Sequence, residues 1–334
     1  MKIVIAGGTG FIGGSLVNYF APNNQVNVLT RNVAGSNNAY SNVALSAILQ
    51  PGVKIVQWDG STEGEWESVI DGCDLLINLA GKSVNCRYTK ENKREIIDSR
   101  VQPTLALGKA IQKANQPPKV WINASSATIY RHATDRAQDE YTDEMHDDFS
   151  VQVCKQWEHA FFSTDTPHTR KIAFRTAITL GTGGVMVPYL NLVKFGLGGR
   201  QGSGQQMYSW VHIHDVCRAM EYVFVHDQMN GVYNLSSPQP VTNRDFMATL
   251  QSLTKTPVAL PAFTWMLQIG AILIGTETEL LLKSRWVLPT RLLDAGFTFA
   301  FPELDGAMQN ILSSLPKRQY KLFASRTPAK TMAV

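Results

Sequence analysis

KIVIAGGTGFIGGSLV, residues 2–17, is the stretch whose reading decides the fold. Lys2–Ala6 is a short β-branched run. Phe11–Phe20 carries apolar residues at 12, 16, 17 and 20, a helical period. Between them Gly8-x-Gly10-x-x-Gly13 overlaps Gly7-x-x-Gly10-x-x-Gly13. A lone GxGxxG is a weak signal. Here it follows a strand and opens an amphipathic helix, the context in which the pattern binds a dinucleotide. Glycines permit the tight turn and a close backbone approach, and the free N–H groups of the helix start then face a pyrophosphate. Gly7, Thr9, Gly10, Phe11, Ile12 and Gly13 are the candidate contacts of this loop. At the end of the second strand, VNVLTRN (26–32), units that select NAD place Asp or Glu against the ribose 2′-hydroxyl. This chain has Thr30 and Arg31 there, and a cation beside a small hydroxyl favours a 2′-phosphate, hence NADP(H).

Outward from this unit, strand and helix patterns alternate. Gln25–Thr30, Lys54–Trp58, the apolar run Asp74–Ala80, Val120–Ala124 and Lys171–Arg175 read as strands. Thr89–Ala114 and Phe149–Phe162 read as helices, the first with a kink or restart near Pro103. Val43–Leu49 is a possible further helical stretch. Continuous apolar runs suit strands covered on both faces. The expected fold is therefore α/β, a Rossmann-type doubly wound parallel sheet with a smaller C-terminal substrate subdomain. The expected division is 1–176 plus 213–235 for the NADP(H)-binding domain, 177–212 plus 236–312 for the substrate side, and a basic, flexible tail at 313–334. Gly181–Gly204 is glycine-rich and suits a segment that closes over a ligand.

A length of 334 residues exceeds what one hydrophobic core usually spans, in keeping with two units. Cys73, Cys86, Cys154 and Cys217 form no close CxxC pair, so neither a zinc site nor a disulfide framework is indicated, and a reduced, cytoplasmic setting fits. Met1 leads straight into a strand-like run with no cleavage-site pattern, so no signal peptide is read. The apolar stretch Phe263–Gly275 falls short of the roughly 20 residues a membrane helix needs. It reads as a buried helix, with an interfacial role as the alternative. The net charge of +4 is local: Pro316–Val334 holds five cations and no acid, and the rest of the chain has 26 basic against 27 acidic residues. A nucleic-acid or membrane reading rests on that tail alone, and a solvated terminus is the simpler expectation. The expected partner is a small-molecule substrate, with no nucleic acid and no transmembrane segment.

Further stretches carry a family resemblance: INLAGKSV (77–84), KREIIDSRVQPT (93–104), INASSATIY (122–130), CKQWE (154–158), FRTAITLG (174–181), FGLGGRQGSG (195–204), SWVHIHDV (209–216), PVTNRDF (240–246) and VLPTRLLDAGF (287–297). With AGGTGFIGG (6–14) they resemble the atypical extended short-chain dehydrogenase/reductases, specifically the YfcH-like epimerase-family proteins, also labelled sugar-nucleotide epimerase or cell-division inhibitor. The resemblance implies that Leu79, Ala80 and Gly81 pass beside the cofactor, and that Asp59 lies near adenine. It implies that Glu95 and Arg100 flank ribose and phosphate, and that Ile178 touches the nicotinamide end.

The usual catalytic signature of that superfamily is missing. It needs Tyr and Lys one helical turn apart, so that the Lys lowers the pKa of a Tyr general acid/base. No Tyr here has a Lys four residues later. In FSVQVCKQWE (149–158), Ser150 takes the Tyr position and Cys154 the Lys position, with Lys155 rotated about 100° around the helix. Ser125 survives upstream, and Tyr130 is the remaining acid/base candidate, with Ser125 as its hydrogen-bond partner and a packed aromatic as its alternative role. Cys154 is read as a buried thiol. His212 and His214 are read as a structural pair rather than a metal site, with Asp215 capping the next helix. Two functions follow: an NADP(H)-dependent oxidoreductase or nucleotide-sugar epimerase-like enzyme with a non-standard proton donor, or a non-enzymatic NADP(H)-sensing protein of the kind the cell-division label suggests.

Overall fold

Seven parallel strands form the centre of the molecule, a computed structural model that describes residues 1–31, 47, 49–142, 144–267 and 283–322. They are β1 (Lys2–Ala6), β2 (Gln25–Thr30), β3 (Val53–Gln57), β4 (Leu75–Asn78), β5 (Val120–Ser126), β6 (Arg170–Thr176) and β10 (Gly231–Leu235). The sheet order is β3-β2-β1-β4-β5-β6-β10. Alternation within each strand explains the apolar runs. Ile3 and Ile5, with their neighbours Leu75 and Ile77, enter one core, while Val4, Ala6 and Leu76 enter the core on the other face. Helices α1 (Phe11–Phe20) and α5 (Ile213–Val225) cover the first face, and α2 (Lys90–Lys113) and α3 (Phe149–Ser163) cover the second. The chain reverses direction across the sheet between β1 and β4, and this leaves a crevice at their C-terminal ends.

α2 begins at Thr89, whose hydroxyl accepts from the Asn92 N–H, and runs through Pro103 without the expected restart. Tertiary contact overrides the lost backbone bond. Pro103, Thr104, Leu107 and Ile111 are all buried, and the helix packs along the length of α3.

A second apolar core gathers residues from distant parts of the chain. The segment read as a glycine-rich loop contains α4 (Met186–Lys194), flanked by β7 (Ile178–Leu180) and by β8 and β9 (Met207–Tyr208 and Trp210–His212). Tyr189, Leu190 and Val193 of α4 pack with Phe246 and Leu250 of α6 (Asn243–Thr254) and Met308 and Ile311 of α8 (Leu304–Ser313). A short strand β11 (Val241–Thr242) and helix α7 (Thr290–Asp294) complete the described elements. Leu315 and Tyr320 are buried in the same core, so the first part of the expected flexible tail is packed. Most of Val43–Leu49, residues 268–275 of the apolar stretch, and residues 323–334 of the tail lie outside the described residues.

The join between β9 and α5 corrects the expected cap. His212 terminates β9, is 3% exposed, and its Nδ1 accepts from the His214 N–H at 3.2 Å. Asp215 instead accepts from the backbone N–H groups of Ala300 and Phe301, at 2.8 and 2.9 Å, and from Arg218. It thereby ties α5 to the segment that precedes α8. Among the described residues no cluster of three His, Cys, Asp or Glu side chains is placed to hold a metal. Burial pulls the His212 pKa down to about 4. The unfolded chain therefore takes up a proton between about pH 6.5 and 4 that the folded chain refuses, and stability falls as the pH drops through that window. Protonation also removes the Nδ1 acceptor. We expect His212 to account for up to about 3 kcal/mol of acid destabilisation, so that His212→Asn flattens the profile. Urea unfolding of both proteins at pH 7 and near pH 4.5 checks this, and parallel losses would clear His212 of the role.

Candidate cofactor and active site

The turn after β1 is built by backbone pressed on backbone. Gly7 has φ +83°, and a Cβ there would lie 2.9 Å from the carbonyl carbon and oxygen of Leu79 at the end of β4. A Cβ on Gly13 would overlap the Gly7 carbonyl and the Gly8 Cα, so α1 can approach the turn only with glycine at 13. Gly10 differs. It is the N-cap of α1, in extended conformation, and among the described residues a Cβ on it would meet the Gly7 oxygen, at 3.7 Å. The turn is thus closed towards the protein and open at Gly10, at the positive end of a helix, the form that a pyrophosphate cradle takes.

Phe11 gives this turn a second partner that the sequence did not reveal. Its ring fills the space beside Gly181, Gly183 and Gly184, where any Cβ would lie within 3 Å of it. The loop between β7 and α4 therefore rests on the first residue of α1, which brings the second core to the crevice. Ile178 of β7 is half-buried and pairs with Trp210 of β9.

At the end of β2, Thr30 is buried and Arg31 is exposed, with no acidic partner among the described residues. Asp59, exposed beyond β3, is occupied by its own turn. The Thr62 hydroxyl and the N–H groups of Thr62 and Ser61 bind its carboxylate and pull its pKa down to about 2.

Leu79, Ala80 and Gly81 are positioned by a buried amide pair. Asn78 donates to Asn123 at 2.7 Å and to Thr104 at 3.0 Å, and accepts from the Ala80 N–H at 3.1 Å. Trp157 also donates to Thr104, at 3.1 Å. Glu95 pairs with Lys82, an attraction that lowers the carboxyl pKa and raises that of the ammonium. The pair engages one carboxylate oxygen of a half-exposed Glu95. Arg100 lies half-buried between Gly81 and the Trp157 ring, with its guanidinium carbon 5.2 Å from the ring centroid. It donates to the Ile96 carbonyl at 2.8 Å, and it has no carboxylate partner among the described residues. Burial lowers its pKa, and such a cation gains from an anion brought beside it.

The catalytic candidates occupy a different setting from the one expected. Arg175 of β6 grips Glu158 of α3 with two hydrogen bonds of 2.9 Å, both groups being buried. Ser125 donates to the same carboxylate at 2.6 Å. Arg175 also donates to the Tyr130 hydroxyl at 3.0 Å, and that hydroxyl donates to Asn234 of β10 at 3.0 Å. Tyr130 is 1% exposed, and burial pushes its pKa up to about 12. Ser125 and Tyr130 thus meet through Glu158 and Arg175 in one buried network, not through the direct hydrogen bond expected between them. On α3, Ser150 and Cys154, the positions expected to replace a Tyr and Lys pair, are buried, the Cys154 thiol with its pKa raised to about 12 by burial. Lys155 turns away to the His146 carbonyl.

Comparison with known proteins agrees with this geometry. Residues 3–151 match the NAD dependent epimerase/dehydratase family, and residues 262–311 match a domain of unknown function, DUF1731. An epimerase family protein of Staphylococcus saprophyticus is 31% identical over 312 residues, covering 92% of this chain and 98% of the relative. The human epimerase family protein SDR39U1, in a crystal structure with NADPH, is 29% identical and superposes with a TM-score of 0.81 over 94% of this chain and 100% of its own. A nucleoside-diphosphate sugar epimerase from Corynebacterium glutamicum is 26% identical, with a TM-score of 0.69 over 93% of this chain and 57% of that one. The chain belongs to the epimerase family, as an atypical short-chain dehydrogenase/reductase.

Proposed function

We propose that this chain binds NADP(H) in the crevice between β1 and β4 and acts as an atypical oxidoreductase or nucleotide-sugar epimerase-like enzyme without the Tyr-x-x-x-Lys pair. The observation that carries the reading is the turn at Gly7–Gly13, closed by its own backbone and open at Gly10. The NADPH in the human relative supports the choice of dinucleotide. In this reading Gly7, Thr9, Gly10, Phe11, Ile12 and Gly13 hold the pyrophosphate, and Thr30 and Arg31 take the 2′-phosphate. Asp59 borders the adenine, Leu79, Ala80 and Gly81 line the cofactor, Arg100 offers a cation, and Ile178 meets the nicotinamide. The sheet unit, 1–176 plus 213–235, carries the cofactor, and 177–212 plus 236–312 supplies the substrate side.

Bound NADPH would supply a hydride. The chain's own contribution is to hold and desolvate: the Arg175–Glu158 pair fixes the ends of β5 and β6, and Phe11 holds the 181–184 loop over the turn. A second reading, a protein that binds NADP(H) and signals its redox state, is favoured by one observation. Ser125, Tyr130, Ser150 and Cys154 are all buried.

Gly10→Val places a branched side chain in the pyrophosphate path, and calorimetry should find no NADPH binding. Arg31→Ala should weaken NADPH by about tenfold or more while leaving NADH within about twofold, since one charge-assisted contact is lost. Equal losses for the two would overturn the 2′-phosphate assignment. Tyr130→Phe should cost about 1–3 kcal/mol of stability, because it removes a hydroxyl bridging two buried partners. It should leave any substrate-dependent NADPH oxidation within about threefold, whereas a loss beyond about a hundredfold would return Tyr130 to the role of proton donor. NADPH oxidation across a panel of carbonyl compounds and nucleotide sugars separates the enzyme from the sensor.

A further inference from the structure

Three segments of the second core share one unusual property. Residues 185–205, 255–267 and 314–322 contain Lys194, Arg200, Lys255, Lys317, Arg318 and Lys321, and not one Asp or Glu. Over the whole chain the charges are nearly balanced, 31 basic against 27 acidic. The same three segments hold nine of the sixteen large apolar side chains that stand exposed among the described residues. Phe195 is 62% exposed, Trp265 61%, Leu260 56%, Val258 52% and Phe263 48%.

The fold joins these segments into one surface. The Leu260 N–H donates to the Gly196 carbonyl at 2.8 Å, and the Gly199 N–H donates to the Leu260 carbonyl at 3.1 Å. Two more backbone bonds, from Gly202 to Ala262 and from Ala262 to Arg200, continue the pairing. The chain thus lays 196–202 along 260–262, with Phe195 at one end and Phe263 at the other. Lys317–Gln319 packs against α4, and Leu315 and Tyr320 anchor it there, so Lys317 and Arg318 stand beside the same helix that ends at Lys194 and Phe195.

A protein leaves few contiguous exposed apolar groups without use. Exposed Trp and Phe in segments that carry cations and no acid match the chemistry of a bilayer interface, where aromatic rings sit at the headgroup level and Lys or Arg meets anionic lipid. We propose that this face docks the protein on an anionic membrane surface, peripherally. Phe195, Phe263 and Trp265 enter the interface, and Lys194, Lys317, Arg318 and Lys321 meet the headgroups. No described helix is long and apolar enough to cross a membrane, so the association is with the surface. The proposal is independent of what the crevice binds.

The test is co-sedimentation of the full chain with vesicles of phosphatidylcholine alone, or with about one third phosphatidylserine. We expect binding to the anionic vesicles only, reduced about tenfold or more by raising the salt to about 0.5 M. Two variants probe the two chemistries: Phe263→Ser with Trp265→Ser, and Lys317→Glu with Arg318→Glu and Lys321→Glu. Each should lower binding by about tenfold or more with an unchanged unfolding midpoint, since the altered groups are exposed or half-exposed. Failure to bind anionic vesicles, or binding that neither variant affects, overturns the proposal. So does a wild-type chain that ignores vesicles but forms a dimer dissociated by the Phe263 and Trp265 changes, which would make the face a protein interface.

Discussion

The approach of Gly13 to the Gly7 carbonyl, and of Gly7 to the end of β4, is the contact on which the working part of the molecule depends. It needs three backbones to meet where side chains normally keep them apart. Once they meet, the N-terminus of α1 is held over the crevice where the sheet changes direction, with room on the Cα of Gly10 that a side chain would otherwise take. The same contact sets the position of Phe11, and the ring in turn sets that of the Gly181–Gly184 loop. A local turn in the first core thus fixes how the second core meets the crevice.

On the face of α3 that carries Ser150 and Cys154 this chain has a small hydroxyl and a thiol, and a buried charge pair lies beside them. The Glu158–Arg175 pair is expensive to bury, and such pairs stabilise only when every lone pair and proton is satisfied. Here Ser125 bonds to Glu158 and Tyr130 to Arg175, and the Tyr130 hydroxyl in turn donates to Asn234 of β10. The two candidate catalytic side chains, Ser125 and Tyr130, both bond to this buried ion pair. Removing one partner of that pair would leave the other charge stranded in a low-dielectric interior, which explains why the network is so closed.

The second core divides its surface by function. Inward, Tyr189, Phe246 and Met308 pack tightly. Outward, three segments that hold cations and no acid also carry exposed aromatic and aliphatic side chains, and the packed start of the C-terminal segment is one of them. A segment that reads as a solvated tail on composition alone becomes part of a surface once Leu315 and Tyr320 are anchored.

The fold was legible in the sequence because its signals are local. Strand alternation, the helical period of Phe11–Phe20 and the spacing of Gly7, Gly10 and Gly13 all act within about a dozen residues, and together they specify a parallel sheet with a nucleotide turn. Arg31 at the end of β2 was equally readable, since its position follows from the strand. What sequence could not decide were contacts between distant segments: Lys82 taking Glu95, Asp215 binding Ala300 and Phe301, Phe11 filling the space of three glycines, and Arg175 locking Tyr130. A polar side chain looks the same in sequence whether it faces a substrate or a buried partner. Only the tertiary structure settles which, because a group withdrawn from water must take whatever partner the fold brings within about 3 Å.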